Sequence, residues 1–159
     1  MNRHTYEISL TWTGNQGIGT QNAWSYSRNH VVEADGHQPV EGSSDPAFRG
    51  DPTRWNPEQL YVASIAQCHM LWYLALAAAA GITVTEYHDR PTAVMIEEPG
   101  GAGQFESVTL HPVVTVAPGA DQELAERLHH QVGDYCFIAR SVNTPIHHRA
   151  TILTATSAS

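Results

Sequence analysis

The feature that most constrains this chain is a long run of residues without formal charge, from Leu60 to Ala80. The tripeptide Asn-Pro-Glu at 56–58 precedes it and is a strong helix start. Asn caps the first turn, Pro is favoured at the first helical position, and Glu suits the positive end of the helix dipole. Gly81 is a suitable C-terminal cap. The pattern predicts one long helix over residues 56–81, with Cys68 near its centre.

This apolar run is long enough to span a bilayer. Three polar side chains, Ser64, Gln67 and His69, lie near its middle, where polar groups cost most in a membrane. Neither flank carries the basic residues that usually set the orientation of a membrane helix. A helix that is apolar around its whole circumference is instead buried on all sides. Because a small domain can hardly surround one helix alone, we predict an intertwined homodimer and no membrane span.

The rest of the chain alternates extended segments with one further helix. Leu124, Leu128 and Val132 recur at four-residue spacing and predict a second helix from about residue 121. Residues 34–55 are rich in Gly, Pro, Asp and Ser and read as a long loop. The sequence predicts strands at 6–12, 22–32, 82–88, 93–98, 105–116 and in the tail from 144. This order predicts a single α+β domain over residues 1–159.

Charge and cysteine usage exclude several classes of function. The net charge of −8 argues against a nucleic-acid or anionic-membrane partner, because both need clustered Lys and Arg. The N-terminus lacks the apolar block of a signal peptide, so we expect a cytoplasmic protein. Two cysteines, Cys68 and Cys136, are too few for a disulfide framework. They are either two unrelated buried thiols or a redox pair, and their spacing does not decide between these.

Two stretches resemble the OsmC/Ohr family, the osmotically inducible and organic hydroperoxide resistance proteins. "NPEQLYVASIAQC" resembles the start of that family's central helix, in which the reactive cysteine follows the Glu by ten residues, as Cys68 follows Glu58. "YCFIARSVNTPI" resembles its second signature, a cysteine near the end of the last helix, with Phe137 where relatives often have proline. The resemblance covers essentially the whole chain and implies an OsmC-like fold, with antiparallel strands around two helices.

The resemblance also implies a thiol peroxidase without a cofactor. Cys68 would attack an organic hydroperoxide and become a sulfenic acid, and Cys136 would resolve it to a disulfide. A dithiol, often a lipoyl-bearing protein in relatives, would reduce that disulfide. The alternative is a redox-silent or small-molecule-binding relative that keeps the fold and the thiols.

A buried thiol in this position needs a cation, because only the thiolate attacks a peroxide and apolar burial disfavours it. Arginine is suitable since it stays charged when desolvated. Glu58 would hold it by a bidentate pair, or would only compensate the helix dipole. The family has two branches. "SRNHVVEADG" resembles the segment that carries the essential arginine in the organic-hydroperoxide branch, which nominates Arg28. "AFRGDPTRWNPE" resembles the corresponding loop of the osmotically inducible branch, which nominates Arg49, and Arg54 is close by as a third candidate.

Ten helical residues rise about 15 Å. Glu58 and Cys68 of one helix should therefore lie well apart. We accordingly expect an active site shared between the two subunits of the homodimer, with the glutamate or the arginine donated across it.

The chain has ten histidines, including His69 and the pairs at 129–130 and 147–148. They could suggest a metal, yet no HxxxH or CxxC spacing supports one. Adjacent histidines on a helix point about 100° apart and rarely chelate together. We therefore predict no metal site.

Overall fold

The computed structural model describes residues 1–157, which form two compact units, residues 1–61 and residues 62 onward. A single domain over 1–159 remains a prediction, and its last two residues lie outside the described part of the chain.

The first unit holds a three-stranded antiparallel sheet of β1 (Ser9–Trp12), β2 (His30–Glu33) and β3 (Val40–Gly42), in that order. The predicted strand at 6–12 is confirmed over its second half. Of the predicted strand at 22–32, only the end is a strand. β3 lies inside the segment that was predicted to be a loop, because its pairing with β2 is a tertiary contact that turn residues do not reveal.

The predicted first helix is confirmed as α1 (Pro57–Ala79). Its start is a reciprocal cap, in which Asn56 Oδ1 accepts from Gln59 N at 2.8 Å and Gln59 Oε1 accepts from Asn56 N at 3.0 Å. After the helix, Gly81 has a φ of 77°, the left-handed conformation of a C-terminal cap.

Only one face of α1 is buried within the chain, and its buried residues recur every four positions: Ile65, His69, Tyr73 and Ala77. Leu71 is 60% exposed, so the single chain does not cover the whole circumference of this helix, as the sequence analysis expected of a small domain. The helix is long and apolar enough to cross a membrane by length and composition. A buried histidine and tyrosine on the face that packs into a protein core are, however, typical of a core helix.

The second unit contains two three-stranded sheets and α2 (Gln122–Gln131). One sheet has the order β4-β7-β9 and the other β5-β6-β8. The strands are β4 (Val84–His88), β5 (Thr92–Glu97), β6 (Gly103–Leu110), β7 (Val113–Val116), β8 (Ile146–His148) and β9 (Thr151–Thr154). β6 pairs with β8 and β7 with β9 in parallel, so the α+β fold is confirmed with sheets that are mixed and not purely antiparallel.

Two predicted strands are each divided in the structure. The segment 105–116 breaks between β6 and β7 at Pro112, which has no N–H to donate to a sheet. There the N–H of His111 donates to Asp89 Oδ1 at 2.7 Å instead of to a strand. The tail likewise forms β8 and β9 separately. Each break moves the chain from one sheet of this unit to the other.

The core of the second unit lies between α1, α2 and the β4-β7-β9 sheet. Its buried members are Tyr73, Ala77, Ile82, Val114, Val116, Ala125, Leu128, Val132 and Cys136. Cys68 packs against this cluster as a partly buried residue. The core therefore contains one of the two thiols and contacts the other.

Candidate functional site: two thiols and a buried histidine cluster

The structure brings the two cysteines together, although they are far apart in the sequence. Cys68 lies near the middle of α1 and is half-buried, whereas Cys136, which follows the short 3-10 helix Val132–Asp134, is 1% exposed. Both are free thiols. Burial, together with a hydrogen-bonding interaction with the Cys68 side chain, raises the pKa of Cys136 to about 11. The pair therefore consists of an accessible sulfur and a buried one that retains its proton.

Backbone contacts hold Cys136 in place. Its N–H donates to Val132 O at 2.8 Å, and its sulfur accepts from Ala139 N at 3.5 Å. Aromatic rings pack nearby along α1: Trp72 stacks on Tyr135 at 5.3 Å between ring centroids and meets Phe137 edge-on at 5.5 Å. Phe137 thus supplies an aromatic contact to α1 directly after the buried thiol.

Four histidines gather beside the thiols, and the sequence analysis did not foresee this grouping. His69 on α1 and His129 on α2 stack at 5.2 Å and are joined by a hydrogen bond of 2.9 Å between Nε2 and Nδ1. His148 lies 5.7 Å from the His69 ring and 4.8 Å from the His130 ring. We call these four residues the histidine cluster. Among the described residues no group of three or more His, Cys, Asp or Glu is placed to hold a metal ion.

Three members of the histidine cluster have pKa values below that of an ordinary histidine. Burial, followed by the neighbouring His148, lowers the pKa of His69 to about 4. Burial, followed by the other three histidines, lowers the pKa of His129 to about 3. The pKa of His148 is also lowered, chiefly by burial. Protonating one of these rings would place a desolvated charge beside its neighbours, so His69 and His129 are uncharged near neutral pH.

Helical periodicity was the signal that could have located the two deepest histidines. His69 falls four residues after Ile65 and four before Tyr73, on the buried face of α1. His129 similarly follows Ala125 by four residues on the buried face of α2. Tyr73 completes the packing, since its ring stacks on His129 at 3.9 Å and its hydroxyl donates to Ala125 O at 2.9 Å.

A cavity of about 300 Å³ adjoins the histidine cluster within the second unit. Its walls combine aliphatic side chains with the polar groups of the cluster and the buried thiol. The lining residues are Ile65, His69, Leu110, His129, His130, Val132, Gly133, Cys136, Ala139, Thr144, Ile146 and His148.

The predicted arginines lie in the first unit, and each rests on an aromatic ring. The Arg28 guanidinium lies 4.1 Å from the Tyr26 ring centroid and donates to the carbonyl oxygens of Ala23 and Tyr26, both at 2.9 Å. The Arg49 guanidinium lies 4.4 Å from the centroid of Trp24, which is 75% exposed. Both arrangements are cation–π contacts.

Arg49 and Glu58 each show a local irregularity. Arg49 has a φ of 67°, the left-handed conformation that a non-glycine residue adopts at some cost. Oε2 of Glu58 is buried without a hydrogen-bond partner among the described residues. Within that part of the chain, neither Arg28 nor Arg49 forms an ion pair with Glu58, whereas Arg54 lies 3.9 Å from both Glu41 and Asp51.

The comparisons with known proteins agree with this architecture. The family model for OsmC-like proteins matches residues 50–150. None of the curated proteins matches the sequence. An OsmC-like protein of unknown function from Vibrio cholerae is 29% identical, with a TM-score of 0.80 over 94% of this chain and 99% of that one.

Two organic hydroperoxide resistance proteins share the fold at lower identity. The protein from Elizabethkingia anophelis is 21% identical, with a TM-score of 0.66 over 97% of this chain and 100% of that one. OhrB of Bacillus subtilis is 20% identical, with a TM-score of 0.60 over 92% of this chain and 98% of that one.

Proposed function

This chain belongs to the OsmC-like protein family, and from that premise we propose that it is a cytoplasmic, thiol-dependent peroxidase that reduces organic hydroperoxides. The observation that carries the proposal is the contact between two free thiols of unequal burial, Cys68 and Cys136. A half-buried sulfur can meet a peroxide, and a buried thiol beside it can capture the oxidised product.

The first step assigns the attack to Cys68. Its thiolate forms a bond to the terminal oxygen of the hydroperoxide, the O–O bond breaks, and the alkoxide takes up a proton and leaves as the alcohol. Cys68 is thereby oxidised to a sulfenic acid. Cys136 is unsuited to this role, because it is 1% exposed and burial raises its pKa to about 11.

The second step assigns resolution to Cys136. Its sulfur attacks the Cys68 sulfenic acid, the S–S bond forms, and the hydroxyl leaves with the Cys136 proton as water. A dithiol, such as that of a lipoyl-bearing protein, then reduces the disulfide by two electrons and becomes a disulfide itself. The whole cycle uses no cofactor.

Activation of Cys68 is assigned to an arginine that Glu58 holds, with Arg28 and Arg49 both candidates. Two observations support this. Within residues 1–157, Oε2 of Glu58 is buried without a partner, and such a carboxylate oxygen calls for a cation or a donor. In the same part of the chain each candidate guanidinium contacts an aromatic ring and neither pairs with a carboxylate, so either is available to Glu58. We infer that the pair forms in an assembled homodimer with shared sites.

Exposed apolar side chains in each unit support a homodimer. In the first unit, Ile8 and Leu10 are 64% and 67% exposed at alternate positions, on one face of an extended segment. In the second unit, Leu71 of α1 is 60% exposed within an otherwise apolar helix. Large apolar side chains exposed at the surface of a folded protein are typical of an interaction site.

Stopped-flow mixing of the reduced protein with cumene hydroperoxide tests the function. We expect the wild type to lose two thiols per chain, Cys136→Ser to lose one and accumulate a sulfenic acid, and Cys68→Ser to lose none at a comparable rate. Oxidation of the wild type no faster than that of free cysteine would refute the proposal.

The cavity favours a second candidate function, a redox-silent protein that binds a small molecule. The same experiment separates the two functions. If both thiols of the folded protein are oxidised slowly, the peroxidase function is excluded and the result favours small-molecule binding.

A further inference from the structure

The cavity beside Cys136 has the composition of a small-ligand site. Leu110 and Val132, both buried, and Ile65 form an aliphatic part of its wall. His129 and His148 form a polar part. A volume of about 300 Å³ lies at the lower end of the range of ligand pockets, which are mostly apolar with a few placed polar groups.

The cavity also reaches the protein surface. His130 and Gly133 belong to its lining, and both are exposed to solvent. A Cβ added to Gly133 would meet no atom within 4 Å, so the space around this residue is open. A small molecule can therefore enter without unfolding of the surrounding helices.

One polar group in the wall lacks a partner. His129 is 1% exposed, and its Nε2 is buried without a hydrogen-bond partner among the described residues. Its other nitrogen, Nδ1, is already bonded to His69 Nε2 at 2.9 Å. A buried ring nitrogen without a partner has lost its hydrogen bond to water without replacement, so a ligand that pairs with it gains affinity.

The chemistry of this nitrogen selects the class of ligand. If His69 donates to His129, then His129 Nε2 carries the proton and is a donor; in the opposite tautomer it is an acceptor. A hydroxyl group satisfies either case, since it both donates and accepts. A carboxylate would meet no charge at this nitrogen, because His129 and the His69 ring bonded to it are both uncharged near neutral pH.

We propose that this cavity binds a small, uncharged organic molecule with a hydroxyl group, whose hydroxyl pairs with Nε2 of His129 while its apolar body packs against Leu110 and Val132. Cys136 belongs to the cavity lining and Cys68 does not, so binding is measured on the reduced protein without peroxide and does not depend on turnover. Phenol is the matched probe, because it combines a compact apolar body with one hydroxyl.

Calorimetric titration of the reduced protein with phenol, toluene and benzoate tests the site. Phenol should bind saturably and about fivefold to tenfold more tightly than toluene, the shift that one net hydrogen bond produces. Benzoate, which is charged, should bind more weakly than either. Phenol should also shift the ring ¹⁵N resonance of His129 Nε2, and toluene should not.

Two variants locate the binding. His129→Phe keeps a ring but removes the nitrogen, and should reduce phenol affinity to that of toluene. Ile146→Phe fills the cavity from the half-buried first residue of β8 and should abolish binding of both probes. The proposal is overturned if the wild type binds phenol and toluene equally well, or if it binds benzoate most tightly. It is also overturned if a folded variant binds phenol as tightly as the wild type does. If a variant does not fold, the relative affinities of the wild type for phenol, toluene and benzoate are sufficient to test the proposal.

Discussion

Nε2 of His69 and Nδ1 of His129 lie 2.9 Å apart, in a hydrogen bond that joins α1 to α2 inside the second unit. The bond requires one ring to donate and the other to accept, so it exists in this form only while at least one imidazole is neutral. Burial lowers the pKa values of both residues to about 4 and about 3. The contact between the helices is therefore sensitive to acid.

We predict that the free energy of unfolding falls as the pH is lowered from about 6.5 towards 4. The unfolded chain binds protons at the ordinary histidine pKa of 6.5, whereas folded His69 and His129 do not, so acid favours the unfolded state. The slope is up to about 1.4 kcal/mol per pH unit for each histidine. Urea unfolding at pH 7.5 and pH 5 measures it. The exposed His37 is the control, since His37→Gln should leave the slope unchanged. If His129→Phe also leaves the pH dependence of the unfolding free energy unchanged, the dependence does not come from the histidine cluster and the prediction is contradicted.

The two thiols should differ in reactivity in the folded protein. The pKa of Cys136 is raised to about 11 from an ordinary value of 9.0, which leaves roughly 100-fold less thiolate at pH 8. We expect iodoacetamide to label Cys68 first, and Cys136 only after unfolding or far more slowly. Mass spectrometry of the labelled peptides measures the order, and the Cys68→Ser variant isolates the buried thiol. Equal labelling rates would show that Cys136 is not held in the apolar core.

Replacing the charged partners should slow the reaction with peroxide without unfolding the chain. We expect Glu58→Gln to lower kcat/KM by about 100-fold, because the arginine would lose its partner beside the developing charge. Arg28→Lys and Arg49→Lys compare the two candidates, since lysine keeps the charge but not the bidentate geometry. The exposed Arg127, which pairs with Glu123 at 3.8 Å, provides the control Arg127→Lys. If neither candidate variant slows the reaction, the assignment of an activating arginine fails.

A charge on the exposed face of α1 should weaken self-association. Leu71→Lys places an ammonium group on an apolar surface that we assign to the subunit interface. We expect the dissociation constant of the dimer to rise at least about tenfold, since burying an unpaired charge costs several kcal/mol. Light scattering over a dilution series measures it. Val94→Lys, on β5 at a residue 49% exposed, is the matched control. A wild type that stays monomeric at every concentration would remove the basis for shared active sites.

Local signals in the sequence were sufficient for α1 and for the hairpin of β5 and β6. Asn56 and Gln59 cap the helix reciprocally, and Gly81 takes the positive φ that ends it. In the turn at 99–103, Gly100 and Gly101 both have positive φ, as the predicted turn requires. These features depend on interactions within a few residues, which explains why the pattern alone predicts them.

The tertiary structure decided what depends on residues far apart in the chain. It put Cys136 against Cys68, grouped His69 and His129 with His148, and enclosed the cavity among them. It also paired β3 with β2 inside a segment that reads as a loop, and divided the strand at Pro112. Spacing along a chain specifies which face of a helix a side chain occupies, but only packing specifies what that face meets. The identity of the two thiols therefore came from the sequence, and their unequal burial, which assigns them different chemistry, came from the fold.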